Sequence, residues 1–229
     1  MAAPSTARRE HPSVSQEDYL KAILEMEHEE LVPISARLSE ELGVTPPAVT
    51  AALKRMTRNG TVKLGPRGRI GLTAKGRELA THLIVRHQLA EKLLAEVLEM
   101  SWTRVHDEAE KLEHAISPEL EKLLLNYFGR QTSCPHGTPL FGGLARLRRE
   151  QGARPLSAVA VGRRAEILRV FEKDRGFLDY LDRQRLRVGT RLLVEHKDYD
   201  DTVQAVVAGR TIHLGKGAAE KIWVRELRG

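Results

Sequence analysis

Three things are scarce or absent in this sequence. Cysteine occurs once, as Cys134, among 229 residues, which excludes an internal disulfide framework. No uncharged apolar run has the length of a membrane span, so no membrane-spanning helix is expected. The first thirteen residues are polar, carry Arg8 and Arg9, and lack an apolar core of signal-peptide length. Residues 1–13 therefore read as a disordered leader and the protein as cytoplasmic.

What is present is ordinary in bulk, with 41% hydrophobic and 30% charged residues. The length is more than one small core needs and implies two or three modules. Thirty-seven Lys and Arg against thirty-one Asp and Glu give a net charge of +6. That excess suits a polyanionic partner, but many non-binders carry as much, so its location decides the matter.

Residues 14–74 carry the outline of a winged helix-turn-helix. A first helix from about Ser15 to Glu29 turns Tyr19, Leu20, Ile23, Leu24 and Met26 toward a core, and a second, Ile34 to Leu42, spaces Ile34, Leu38 and Leu42 by four. Gly43 permits a left-handed turn. Thr45 can cap a third helix, with Pro46 at its first position, where a missing N–H does no harm. That helix buries Val49, Leu53 and Met56, and its other face offers Pro47, Ala48, Thr50, Ala51, Lys54, Arg55 and Arg58 before Asn59-Gly60 ends it. Two strand-like pieces, Thr61–Leu64 and Arg69–Leu72, flank Gly65-Pro66-Arg67-Gly68, which reads as a wing with a basic tip. Helix–turn–helix followed by a basic hairpin points to duplex DNA; the plainer alternative is a core helix pair with solvated Lys and Arg.

Residues 75–130 read as three apolar helices: Thr73 to about Met100, a second capped by Ser101 and running to Ala115, and a third restarted by Ser117-Pro118-Glu119 and running to Phe128. Appended to a small reading head, they suggest a dimerisation domain, because such proteins use two copies to read two half-sites. Residues 131–156 are rich in glycine and proline and read as a linker. Short β-rich runs between 157 and 229, with helical pattern only around Gly176–Arg185, fit a small SH3-like barrel. The fold class expected is therefore mainly α with a small β domain.

The helical middle is dense in metal-ligand side chains. His106, Glu110, Glu113 and His114 stand at i, i+4, i+7 and i+8, on one face of a helix, and His87 and Glu91 are i, i+4 on the helix before it. Any single pair is well explained as a solvated face. Two sets on adjacent helices are not, since carboxylates and imidazoles converging between packed helices suffer repulsion and desolvation unless a cation neutralises them.

The run Arg86-His87-Gln-Leu-Ala-Glu91 followed by Val105-His106-Asp-Glu-Ala-Glu110-Lys-Leu-Glu113-His114 resembles the signature of the diphtheria-toxin-repressor family of iron- and manganese-dependent regulators. Glu17-Asp18-Tyr19-Leu20 and Cys134-Pro-His136-Gly-Thr-Pro match it too, and Arg187-Val188-Gly189-Thr190 is similar to FeoA-like C-terminal domains. The resemblance covers the chain from about residue 14. It implies a homodimer that binds palindromic promoter DNA when loaded with metal and represses genes for uptake of that metal.

By the same resemblance the primary metal site would be Asp18, Glu110, Glu113 and His114. Iron-responsive members carry cysteine where this chain has Glu110 and methionine where it has Asp18. Two carboxylates in place of two soft sulfurs favour Mn²⁺, with Fe²⁺ the alternative. For a second site two sets remain open, His87, Glu91 and His106 as in iron-type members, or Glu91, Cys134, His136 and Glu172 as in a manganese-type branch. Another manganese-sensing branch has glutamate where Lys21 stands here, which argues against its closely spaced pair of ions. On the DNA side Thr45, Pro47, Ala48 and Thr50 are the base-proximal candidates, and Lys54, Arg55, Arg58, Arg67 and Arg69 the phosphate candidates. Ala51 replaces a glutamine of the iron-type repressors, implying a different operator. The rival reading, a metal-dependent hydrolase, lacks an evident general base and a glycine-rich substrate loop, so no enzymatic activity is expected.

Overall fold

The computed structural model describes residues 14–227; the expected leader lies outside them. The chain forms two compact units. The first comprises the residues up to Glu27 together with Leu31–Leu83, and the second His28–Glu30 with Ile84 onward.

In the first unit, α1 (Val14–His28), α2 (Ser35–Glu41) and α3 (Pro46–Arg58) precede a hairpin of β1 (Val62–Leu64) and β2 (Ile70–Leu72). Leu20, Ile23 and Leu24 of α1, Leu38 of α2, and Val49, Leu53 and Met56 of α3 are buried, as their spacing predicts. Each such side chain contributes about 1.5–3 kcal/mol. The exposed Arg77–Glu27 ion pair at 2.6 Å adds at most about 1 kcal/mol, so burial holds this unit together. Gly43 takes the left-handed conformation (φ 61°) between α2 and α3, and Thr45 with Pro46 starts α3 as read from sequence.

The helix α4 (Ala74–Lys92) leaves the first unit, and its second half belongs to the other. It is shorter than its apolar pattern implies: a π-helical turn, Leu93–Val97, ends it, and Val97 and Leu98 are exposed. The next helix, α5 (Val105–Leu112), does not begin at a Ser101 cap. Residues 101–104 instead form a turn in which Arg104 N–H donates to the Ser101 carbonyl, and Trp102 is claimed by a different core. The α-helix stops at Leu112, and Glu113–Ala115 continue as one 3₁₀ turn. Then comes α6 (Pro118–Phe128), capped by the Ser117 hydroxyl, which accepts from Leu120 N–H.

The expected linker is more than a loop. Its middle folds as α7 (Gly143–Gln151), which buries Leu144 and Leu147. Beyond it β3 (Arg154–Pro155), β4 (Arg164–Val170), β5 (Arg191–Lys197), β6 (Val203–Val207), β7 (Arg210–Leu214) and β8 (Ile222–Glu226) form one antiparallel sheet in the order β3-β8-β4-β5-β6-β7. Among the described residues β3 and β7 do not pair, so the sheet is open where a closed barrel was expected. Two helices, α8 (Arg175–Arg183) and α9 (Lys216–Glu220), complete this domain.

Three residues at the end of α1 and just past it pack in the second unit. Arg169 Nη2 of β4 lies 2.7 Å from Glu29 Oε1, Arg148 of α7 pairs with Glu30, and the His28 side chain lies against Gly143.

Candidate metal centre and DNA-binding face

In the second unit the last turns of α4 face α5 and its 3₁₀ extension. His87 is 4% exposed, His106 9%, and Glu91 and Glu113 0%. His87 Nδ1 meets Glu113 Oε2 at 2.5 Å, and its Nε2 lies 3.0 Å from His106 Nδ1 and 3.3 Å from Glu91 Oε1. His106 Nδ1 is also 3.2 Å from Glu91 Oε1. With the His87 Nδ1 proton directed to Glu113, a lone pair on Nε2 faces His106 and Glu91. These separations are hydrogen-bond distances, and they also match ligand spacing, since two ligand atoms bound at about 2.1 Å and at right angles stand about 3 Å apart. Glu110, with 46% of its side chain exposed, reaches to 3.8 Å from both His87 Nδ1 and His106 Nε2.

The same Glu91 oxygen also meets a third imidazole. His136 Nδ1 lies 3.4 Å from that Oε1, and Glu91, Cys134 and His136 each offer a ligand atom within 4.8 Å of the others, all buried. Burial opposes the Glu91 charge, but the nearby His136 and His87 outweigh it, aided by a hydrogen bond from His106, and hold the carboxyl well below its usual range. Burial, then the charges of Glu91 and Glu172, push the Cys134 thiol well up. Glu91 Oε2 and His136 Nδ1 are buried without a hydrogen-bond partner. Unpaired buried acceptors of this kind fit a divalent cation, which would satisfy both.

A tight turn presents Cys134 and His136. Gly137 N–H donates to the Cys134 carbonyl and Cys134 N–H to the Thr138 carbonyl, and Val170 N–H of β4 donates to the His136 carbonyl. Gly137 has φ 92°, and a Cβ there would stand 1.9 Å from the Leu168 carbonyl oxygen, so only glycine lets the turn lie this close to β4. Glu172 stands nearby, and its carboxylate accepts from the Thr138 hydroxyl at 3.2 Å; Thr138 in turn accepts from Arg169 Nε at 2.9 Å.

The structure thus brings His87, Glu91, His106, Cys134 and His136 into one buried tract with Glu113 at its edge and Glu110 over it. Of the two sets read for the second site, His87, Glu91 and His106 lie together, as do Glu91, Cys134 and His136, while Glu172 meets Thr138 instead. His114 borders Glu113, with its Nε2 at 3.7 Å from Glu113 Oε1. Asp18 lies half-buried on α1 in the first unit. Sequence reasoning missed Trp102, Thr138 and Arg169. The polar side chains of Thr138 and Arg169 in apolar or turn settings gave no periodic signal.

On the first unit Thr45, Pro47, Ala48, Thr50, Ala51, Lys54, Arg55 and Arg58 are all exposed, on the side of α3 away from its buried Val49, Leu53 and Met56. The Thr50 hydroxyl donates to the Pro46 carbonyl at 3.1 Å, which leaves its methyl and lone pairs outward. Arg67 and Arg69 are exposed on the wing, and Arg67 takes a left-handed conformation (φ 56°) at its tip.

Comparison with known proteins agrees with this division of labour. Residues 13–70 match the family described as iron dependent repressor, N-terminal DNA binding domain. Residues 73–142 match its metal binding and dimerisation domain, and residues 154–226 the FeoA domain. The diphtheria toxin repressor of Corynebacterium diphtheriae is 32% identical over 222 residues, covering 92% of this chain and 96% of that protein. The chain belongs to the iron-dependent repressor family. The repressor of the same name from Corynebacterium efficiens is 37% identical over 143 residues, a stretch covering 62% of either protein. Among solved structures, a manganese-dependent transcriptional repressor in complex with manganese superposes with a TM-score of 0.80 at 30% identity, covering 93% of this chain and all of that one. These family members are named as repressors, and no helix among the described residues of this chain is long and apolar enough to cross a membrane.

Proposed function

We propose that this chain is a manganese-activated repressor that binds promoter DNA as a homodimer in the cytoplasm and lowers expression of metal-uptake genes. The observation that carries the metal dependence is the buried convergence of Glu91, Cys134 and His136, whose ligand atoms lie within 4.8 Å of one another, with Glu91 Oε2 and His136 Nδ1 lacking a hydrogen-bond partner. A bound ion would supply positive charge and fixed coordination angles, drawing together ligands that otherwise repel.

The primary site would take Asp18 from the first unit and Glu110, Glu113 and His114 from the second. Linking ligands on α1 to ligands beyond α4 is how metal occupancy would fix the position of α3 for reading. Allosteric couplings of this kind are worth about 1–3 kcal/mol. Three carboxylates and one imidazole make a hard set that accepts Mn²⁺. Glu91, Cys134 and His136 would form the second site, with Glu172 within reach. The exposed Leu120, Leu123 and Tyr127 of α6 offer an apolar face for a second copy. The face of α3 would enter the major groove, with Thr45, Pro47, Ala48 and Thr50 toward bases and Lys54, Arg55, Arg58, Arg67 and Arg69 toward phosphates.

An iron-responsive reading has its own support, since His87, Glu91 and His106 stand ready as the iron-type ancillary set. One experiment separates the two. A mobility-shift titration on the DNA upstream of the gene, with Mn²⁺, Fe²⁺ under anaerobic conditions, or chelator, should show retardation at the lowest free concentration of Mn²⁺. Retardation in chelator would overturn metal dependence, and stronger activation by Fe²⁺ would establish the iron reading.

A further inference from the structure

We propose that Trp102 is the positioning residue of the second metal site, and that the C-terminal sheet domain, acting through Asp182 and Arg187, sets how tightly that site holds its ion. The inference rests on reading Glu91, Cys134 and His136 as ligands. An imidazole can bind through either nitrogen, and the hydrogen bond made by one decides which is left. His136 Nε2 lies 2.9 Å from the Trp102 carbonyl oxygen. A carbonyl only accepts, so Nε2 carries the proton and Nδ1 is the ligand atom, 3.4 Å from Glu91 Oε1. The two rings lie 5.5 Å apart at 35°, so the indole also limits how far the imidazole can turn.

What holds the carbonyl is the sheet domain. Trp102 precedes α5 in the chain, but its side chain, 5% exposed, packs into the core formed by β4–β8 and α8. Its Nε1–H donates to Asp182 Oδ1 of α8 at 2.9 Å. The Arg187 guanidinium covers the ring at 4.7 Å and binds the same Asp182 oxygen. Arg187 is itself held by a turn in which its N–H donates to the Thr190 hydroxyl at 3.0 Å and Gly189 adopts φ 86°. The backbone of His136 is fixed from the same domain, by Val170 N–H. Ring and backbone of one ligand are therefore both held from the sheet domain, the ring through Trp102 and the backbone through Val170. Removing such an orienting partner lowers metal affinity about 10–100-fold in known sites.

The test uses the full chain and Co²⁺, because Cys134 is the only cysteine and a thiolate-to-cobalt absorption band then reports the second site alone. The wild type should develop the band on titration, and Cys134→Ser should lose it. Asp182→Ala changes a side chain that is 43% exposed and leaves the core intact. It should weaken the affinity read from the band about tenfold, as should Trp102→Phe, which keeps a ring in the core. Asp182→Asn, whose amide oxygen still accepts from the indole, should restore it, and Asp179→Ala on the same helix should leave it unchanged. No band in the wild type would overturn the second-site reading and this inference with it. A normal band with wild-type affinity in both Asp182→Ala and Trp102→Phe would overturn the role of Trp102 alone.

Discussion

Glu91 Oε1 and His136 Nδ1 stand 3.4 Å apart in a space that solvent does not reach, and the same oxygen lies 3.3 Å from His87 Nε2. One carboxylate therefore serves more than one imidazole. Glu91→Gln keeps the shape and removes the charge, so it should cost more metal affinity than either His87→Ala or His136→Ala. Calorimetric titration with Mn²⁺ should show one ion fewer per chain. The rise in stability at hundredfold excess of metal over its Kd, about 2.7 kcal/mol for one site, should shrink by that amount. Unchanged stoichiometry would mean that Glu91 only balances histidine charge.

Metal identity turns on Glu110. Its carboxylate is half-exposed and 3.8 Å from two imidazole nitrogens, so Glu110→Cys should leave the fold and Tm of the metal-free protein unaltered. A thiolate there favours later, softer ions. Activation of operator binding at saturating metal should improve with Fe²⁺ or Co²⁺ and decline with Mn²⁺, more so when combined with Asp18→Met. The same order of activation as wild type would move selectivity elsewhere.

For DNA, Arg67→Ala should weaken binding to every sequence alike and reduce the slope of log affinity against log salt by about one. Arg67→Gly should do the same, which separates lost charge from the left-handed backbone at that position. Pro47→Ala or Thr50→Ala should change the preferred operator in a selection experiment with little change in salt slope. A wing variant that alters the consensus would contradict the division between α3 and the hairpin.

Gly137→Ala places a methyl where the Leu168 carbonyl stands and forces a left-handed backbone on a residue with a Cβ. The conformation alone costs about 1–2 kcal/mol, and the clash adds to it. We expect the Cys134–His136 turn to lift from β4, with loss of the second ion, while the first unit keeps its helix signals in an NMR spectrum. Retention of both ions would show that the turn has slack the distances do not reveal.

The sheet domain should lose stability in acid. A hydrogen bond from Lys221 holds Asp174 low, as one from the Trp102 indole does Asp182. A depressed carboxyl favours the folded state above its unfolded value and stops doing so as pH falls through the folded one. The Tm of this domain should therefore drop below about pH 4, and Asp174→Asn with Asp182→Asn should flatten that limb. An identical acid limb in the double variant would refute the assignment.

Much of the fold was legible because local chemistry and packing agree. Thr45-Pro46 starts α3, Asn59-Gly60 ends it, and Ser117 caps α6, each by short-range geometry. Ser101 misled because the residue after it is drawn into a core built around residue 160 and beyond, which no local signal announces. The helix α7 was hidden by the glycines that bound it: Gly142 and Gly152 sit at its caps with φ 82° and 63°, and between them only Leu144 and Leu147 mark a buried face. The ligand side chains could be named in advance, since His and Glu at helical spacing are rare on apolar helices. Their sharing of Glu91 could be read as well; what could not was the hold of Trp102 on His136, because it depends on a side chain drawn into the sheet-domain core.

The grip of Arg169 and Arg148 on Glu29 and Glu30 bears on how this protein can be divided. A fragment cut after the wing would carry both glutamates away from their arginines. The complementary fragment would keep the Arg169 guanidinium, 5% exposed, without the carboxylate 2.7 Å from it. Arg169 would still have Glu172 at 3.9 Å and the Thr138 hydroxyl, so the fragment would bear only part of the roughly 3–5 kcal/mol that stranding a buried charge costs. Recombinant halves would each be poorer mimics of the parent than their sequence borders suggest, and mixing them would recover affinity through an ion pair that neither half displays alone.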